Sequence, residues 1–394
     1  MQTLPARYRQ RVPSLPRRRR GLRRLVACLL AVAGLLGASV GLSLVEALRT
    51  PGNQSFQAKW ADWLRSHHAT VLANSLEQYY YNHHAPPKGG RPTGLNAVPA
   101  HTAPPPAVVP VGLPPPTPVP LVVSPVLPGE GQWVPAGASG GPAAMYVAQF
   151  RADAIYTSQI TSAVWIDPTR LRVDLIPGLQ EPGGTWSQPP DISGPALSGA
   201  VAAFNGGFRM QDAHGGFYLD GREAVPLRTG AASIVIYANG HIDIGTWGTE
   251  LARTPSVEAV LQNLVPIVDN GQPAPNATYR DTRIWGATLG ANTVVARSGI
   301  GVTASGALIY VAGPALTARS LAESLQRAGA VRAMALDINP EWVTFNFYSH
   351  PSSTHLSLIV PAKLYPQMQR PANRYIGPTR ESRDFFAISI PEPA

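Results

Sequence analysis

The sequence predicts an α+β protein: a mixed β-sheet domain with few helices, preceded by one transmembrane helix and a Pro-rich linker. Three observations predict it. Leu25 to Val45 contains no charged residue. Fifteen prolines fall between Ala85 and Pro128. Beyond residue 131, short apolar runs of strand length are separated by Asp-Pro, Asn-Gly and Ser-Gly turn signals. The 394 residues therefore divide into an Arg-rich tail (1–24), a span (25–45), a juxtamembrane amphipathic helix (46–84), a linker (85–130) and a domain (131–394).

The formal charge of +9 belongs to the tail. Residues 1–24 hold nine Arg and no carboxylate, which leaves 23 basic against 23 acidic residues in the rest. A nucleic-acid-binding domain needs positive charge on its folded face, so no nucleic-acid partner is expected. The 21 uncharged residues that follow span roughly 30 Å as a helix, the hydrocarbon thickness of a bilayer. The lipid bilayer is thus one expected partner. Arg on the N-terminal side directs that end to the cytoplasm and everything after Glu46 outside. A cleaved signal peptide is the rival reading, but its apolar region is shorter and Val45-Glu46-Ala47 is a poor cleavage site. Cys28 has the bulk of the apolar stretch after it rather than before it, so its lipobox-like context is read as chance. As the only cysteine, it excludes an intramolecular disulfide.

In 46–84, Phe56, Trp60, Trp63 and Leu64 keep helical spacing, and the two indoles suit a membrane interface. His67-His68 and His83-His84 are adjacent pairs, which diverge on a helix and make poor metal sites. The Pro-rich stretch reads as an extended spacer able to hold the domain on the order of 100 Å from the membrane. Only three lysines accompany the many arginines, which hints at a GC-rich bacterial genome.

Within the domain, three hairpins are expected: 163–166 with 171–175, 233–237 with 241–244 around Asn239-Gly240, and 299–303 with 307–311 around Ser305-Gly306. Thr317 can cap a helix whose apolar stripe is Leu321, Ala322, Leu325 and Ala328, ended by Gly329. Val331 to Leu336 reads as a buried strand that delivers Asp337, either a turn cap or a site residue. Val201 to Phe208 reads as a strand ending in Asn205-Gly206-Gly207, where the glycines permit positive φ and close approach of a ligand.

Taken in order, Asn205-Gly206-Gly207-Phe208, Arg297-Ser298-Gly299-Ile300-Gly301-Val302-Thr303, Gly329-Ala330 and Ala335-Leu336-Asp337 resemble the motifs of the phosphodiester glycosidase domain family, which includes the enzyme that uncovers mannose 6-phosphate on lysosomal proteins. The resemblance spans about residues 131–394. After Asp337 this chain has Ile338-Asn339-Pro340-Glu341-Trp342 where the family has glycines and a serine, so a different pocket is implied there. The resemblance implies cleavage of a sugar–phosphate bond on the sugar side, with a phosphosugar or envelope glycopolymer as substrate. It makes Asp337 the base or nucleophile and Glu341 the second carboxylate. Arg297 would grip the phosphate with its bidentate fork, and the backbone N–H groups of Gly206 and Gly207 would add anion contacts. Asn205 and Asn339 would bond sugar hydroxyls, with His214 and Asp212 as weaker candidates. No cofactor and no metal are expected. The bland alternatives are a structural ion pair for Arg297, with Asp337 itself as partner, and a surface position for Glu341. A membrane-anchored hydrolase is the first functional reading. A non-catalytic envelope-glycan-binding module is the second, and an assembly protein using the 53–84 helix is the third.

Overall fold

The computed structural model describes residues 18–69, 71–73, 75, 86–98, 112–136, 143–278, 284–286, 294–350 and 359–391. The tail before residue 18, the His83-His84 pair and residues 99–111 of the Pro-rich stretch lie outside them.

Helix α1 (Arg18–Arg49) carries the uncharged stretch, with Leu25, Leu29, Leu30, Leu35 and Leu42 all exposed. It is long and apolar enough to cross a membrane by length and composition, a test that a signal sequence also passes. Helix α2 (Phe56–Ser66) is shorter than expected. Ser55 caps it by accepting from the Ala58 N–H. Its indoles turn back to α1: Trp60 Nε1 donates to Ser43 Oγ at 3.1 Å and Trp63 Nε1 to Glu46 Oε2 at 2.6 Å.

The strands are β1 (Val134–Pro135), β2 (Met145–Phe150), β3 (Thr161–Ile166), β4 (Arg172–Ile176), β5 (Ala200–Asn205), β6 (Phe217–Leu219), β7 (Arg222–Val225), β8 (Ala232–Tyr237) and β9 (Ile242–Thr246). They continue as β10 (Val257–Gln262), β11 (Pro266–Asp269), β12 (Gln272–Pro273), β13 (Val295–Thr303), β14 (Leu308–Leu316), β15 (Ala330–Ala335), β16 (Phe345–Ser349), β17 (Val360–Lys363) and β18 (Phe385–Ser389). Short helices α3 (Ala196–Gly199) and α4 (Met210–Ala213) flank the first long motif, and α5 (Ala318–Arg327) is the domain's longest described helix.

These strands form three sheets, ordered β1-β2-β3-β14-β13-β15-β11-β12, β7-β6-β10-β8-β9 and β17-β16-β5-β18-β4. The α+β reading holds. The Asn239-Gly240 turn joins β8 to β9 and the Ser305-Gly306 turn joins β13 to β14, with Gly240 at φ +81° and Gly306 at φ +90°. Thr317 caps α5 in a capping box with Ser320, and Leu321, Ala322 and Leu325 bury against the large sheet.

Two expectations fail. β3 and β4 do not form a hairpin: β3 pairs with β2 and β14, whereas β4 pairs with β18 in another sheet. Asp167 turns the chain between them by accepting from Thr169 N and Oγ1, so the turn was legible but not the partner. The Pro-rich stretch is not a free spacer where it is described. Val119, Val123 and Leu127 are buried, and Arg151 donates to the carbonyls of Val123 and Pro125. Proline loses a donor but keeps its carbonyl, and the interleaved apolar residues supply anchors.

One core lies where the three sheets meet and another between the large sheet and α5. At the first, the Phe204 ring centroid is 4.9 Å from that of Phe386 and 5.3 Å from that of Tyr310. This joins β5 and β18 to β14 and fixes the end of β5.

Candidate active site

All six residues of β5 are buried, and the strand lies between β16 and β18. It ends on Asn205, whose side chain is spent on the protein. Its Nδ2 donates to Gly206 O at 2.7 Å and to Ser298 Oγ at 3.1 Å. Its Oδ1 accepts from Tyr310 Oη at 2.9 Å and from Thr344 N at 3.1 Å. A sugar hydroxyl would have to displace one of these partners.

Ser298 carries the link to Asp337. The Ser298 N–H donates to Asp337 O at 2.9 Å, and the Asp337 N–H donates to Ser298 Oγ at 3.1 Å. Asp337 is 3 % exposed. Its Oδ1 accepts from Asn339 N at 2.8 Å, and its Oδ2 accepts from Arg383 at 3.0 Å. It is therefore both a turn cap and the acceptor of a buried ion pair. Burial pushes its carboxyl above the usual range, against the opposing pull of Arg383, the Asn339 and Ile338 N–H groups and Arg374.

Arg383 also donates to Gly207 O at 2.7 Å, which ties Asp337 to the Asn-Gly-Gly turn. Its guanidinium lies 4.4 Å from the Trp342 ring centroid, and that of Arg374 lies 4.6 Å from the same ring. The altered loop 338–342 is thus a packed structure. Asn339 Oδ1 accepts from Glu341 N, and Asn339 O accepts from the N–H groups of Trp342 and Val343. Glu341 Oε1 accepts from Arg370 at 2.7 Å and from Ser55 N at 2.9 Å, so this carboxylate is bonded rather than bare. Beneath it, Arg374 pairs with Glu381 at 2.5 Å, and that ion pair holds the Glu381 carboxyl below its ordinary value despite burial.

The glycines serve packing. Neither Gly206 nor Gly207 has positive φ. A Cβ on Gly206 would strike the Asp384 carboxylate and lie 2.7 Å from Asp384 O, and one on Gly207 would lie 3.1 Å from the Asn263 side chain. The Gly206 N–H already donates to Asp384 O at 3.2 Å, so it is not turned toward an anion.

Arg297 goes elsewhere. Side chains alternate along β13, so Ser298 faces Asn205 while Arg297 faces the α5 side. There Arg297 is 2 % exposed and donates to Leu316 O and Trp285 O, both at 3.0 Å. Burial pulls its guanidinium down to about 10, still charged at neutral pH. The alternative reading of Arg297, an ion pair with Asp337, is not met either, since Asp337 pairs with Arg383. His214 ends α4 with φ +49° and is exposed, as is Asp212. The structure thus brings Asn205, Gly206, Gly207, Asp337, Asn339 and Glu341 together, and turns Arg297 to the opposite face.

Sequence reasoning passed over Arg370, Arg374, Glu381, Arg383 and Asp384. The signal available was a dense charged run, Glu381 to Asp384, set directly before the apolar strand β18.

The segment before α2 lies across this rim. Pro51 O and the Gln54 side chain bond Gln180, and Asn53 Nδ2 donates to Arg374 O at 3.1 Å. Arg370 donates to Asn53 O, and Asp62 pairs with Arg209.

Residues 198–337 match the phosphodiester glycosidase family. The match runs from the residues before β5 to Asp337 itself, so the matched segment supplies Asn205, Ser298 and Asp337. Arg370, Arg374, Arg383 and Asp384 come from beyond it. Among solved structures, the zebrafish N-acetylglucosamine-1-phosphodiester alpha-N-acetylglucosaminidase catalytic domain, auto-inhibited by its pro-peptide, aligns at TM-score 0.39 and 15 % identity over 63 % of this chain and 82 % of that one. A hypothetical protein from Synechocystis aligns at TM-score 0.32 and 12 % identity over 62 % of this chain and 64 % of that one, just under two thirds of its length. No curated protein matches the chain.

Proposed function

We propose that the domain is an extracytoplasmic hydrolase that cleaves sugar-phosphodiester linkages of cell-envelope glycopolymers, held in the membrane by α1 with its N-terminus cytoplasmic. The single observation that carries this is the placement of Asp337. A buried carboxylate at the end of β15 is joined through Ser298 to the Asn205 turn and held by Arg383, inside a segment that matches phosphodiester glycosidases. In this reading Asp337 takes the proton of the attacking water, or attacks the sugar carbon itself, while Arg383 holds its Oδ2 in place. The phosphate monoester leaves with the electron pair of the broken bond. Arg370 is the cation this reading gives to that anion: besides its pair with Glu341, its guanidinium bonds the Asn53 carbonyl, a neutral acceptor that a phosphate oxygen outcompetes. Substrate entry then requires residues 51–55 to leave the rim.

Purified full-length protein should release reducing sugar from a panel of sugar-1-phosphodiesters, and Asp337→Asn should abolish the release. Protease accessibility of the domain in intact cells and spheroplasts, with the mass of the mature N-terminus, separates a membrane anchor from a cleaved signal. Residues 51–62 bond the domain directly, which supports a domain held close to α1 rather than at the end of a stalk.

A second reading, a glycan-binding module without turnover, is favoured by the closed loop at Glu341 and the segment across the rim. It predicts saturable binding of isolated envelope polymer and no product.

A further inference from the structure

The site holds a buried carboxyl group that the proposed chemistry leaves unused. Asp384 is 4 % exposed, and neither of its carboxyl oxygens has a hydrogen-bond partner among the described residues. It presses on Gly206, the first glycine of the Asn205 turn, and follows directly after Arg383 in the chain. The charged groups that face it are Arg383, Glu181 and Asp337, with Asp62 and its partner Arg209 next to Arg383 and Glu181. Three carboxyl groups therefore compete for one guanidinium. Geometry awards that guanidinium to Asp337 and to Gly207 O. A buried carboxylate whose one nearby donor is its own backbone N–H, and which has two acidic neighbours, is strongly disfavoured in its charged form. Desolvation accordingly pushes the Asp384 carboxyl up to about 7.

We propose that Asp384 is a positioning residue for Asp337: while protonated it leaves Arg383 to Asp337, and when ionised it draws Arg383 away and disarms the site. No bond is made or broken at Asp384 beyond loss of its proton to solvent. On ionisation its oxygens need donors, and the adjacent guanidinium is the donor that can turn. Movement of Arg383 then releases Asp337 Oδ2, frees Gly207 O and lifts a cation from the Trp342 ring.

This role rests on the glycosidase reading, and its test separates the two. Full-length protein in detergent micelles is titrated from pH 5 to pH 9 with two readouts, sugar-1-phosphodiester turnover and tryptophan emission. A single group at about 7 gives activity at pH 6 about tenfold higher than at pH 8. It also gives an emission transition with a midpoint near neutrality that Trp342→Phe removes. Asp384→Asn, a permanently neutral isostere, should bring the activity ratio close to one and flatten the emission titration. Asp384→Ser serves as a second neutral variant in case the amide folds poorly. An unchanged emission transition in both neutral variants overturns the inference whatever the activity. A transition that vanishes in them, in a protein that turns over no diester, overturns the glycosidase reading and leaves the Asp384–Arg383 coupling standing.

Discussion

Replacing Arg383 by Met removes the guanidinium and keeps most of the apolar stem. The structure sets the magnitude. Asp337 Oδ2 loses its donor at 3.0 Å, Gly207 O loses one at 2.7 Å, and Trp342 loses a cation at 4.4 Å. Breaking a buried pair from one side costs about 3–5 kcal/mol, because it strands the other charge. The lost cation–π contact adds about 1 kcal/mol. Domains of this kind have about 5–15 kcal/mol in all, so the variant should be marginal. The pH dependence has a definite sign. Burial already raises the Asp337 carboxyl, and loss of Arg383 raises it further, so the variant binds a proton more readily when folded. Its deficit therefore shrinks as pH falls and grows toward pH 6. Urea denaturation followed by tryptophan emission at pH 4 and pH 6, where Asp384 is still protonated, measures this. Adding Asp337→Asn should recover about 2 kcal/mol at pH 6, because the stranded charge is gone. A cost below about 1 kcal/mol for the single variant at pH 6, or no recovery in the double, would refute the ion pair as the organiser of this site.

Gly206→Ala drives a methyl into Asp384 and its carbonyl, and should destabilise by about 1–3 kcal/mol without any change of φ preference, as read from urea midpoints. Asn205→Ala orphans Thr344 N and takes one of the two acceptors of Tyr310 Oη, which keeps Thr344 O, and should cost about 1–3 kcal/mol in the same assay. Asp62→Lys sets like charges against Arg209, which should loosen residues 51–62 and raise turnover at low substrate several-fold; lowered turnover would show that the segment completes the site. Asp384 alone should subtract about 3 kcal/mol of stability as pH rises from 4 to 7, since its folded carboxyl titrates at about 7 and its unfolded one at about 4, and Asp384→Asn should remove that slope.

Much of the fold could be read locally. The Asn239-Gly240 and Ser305-Gly306 turns needed no distant partner, because positive φ at glycine and the twist of the flanking strands decide them. Thr317 and its apolar stripe decided α5 in the same way. What local pattern could not supply was partnership across the chain. The Asp167 turn is real, yet β4 goes to β18, more than 200 residues further along. Asp337 was recognised as a strand-end carboxylate, but its cation, Arg383, comes from beyond the family-matched segment rather than from the neighbouring strand. Arg297 looked like the phosphate fork because its motif position was legible, whereas the face it occupies depends on strand alternation against Ser298. The prolines of 112–128 suggested an extended spacer, and the few apolar residues among them were enough to dock it.

The most direct test of the central claim is release of reducing sugar from a sugar-1-phosphodiester by the full-length protein and its Asp337→Asn variant, side by side at pH 6. The account predicts turnover of at least one diester class by the wild type and a loss of about 10²-fold or more in the variant. Equal turnover by the two proteins would contradict it.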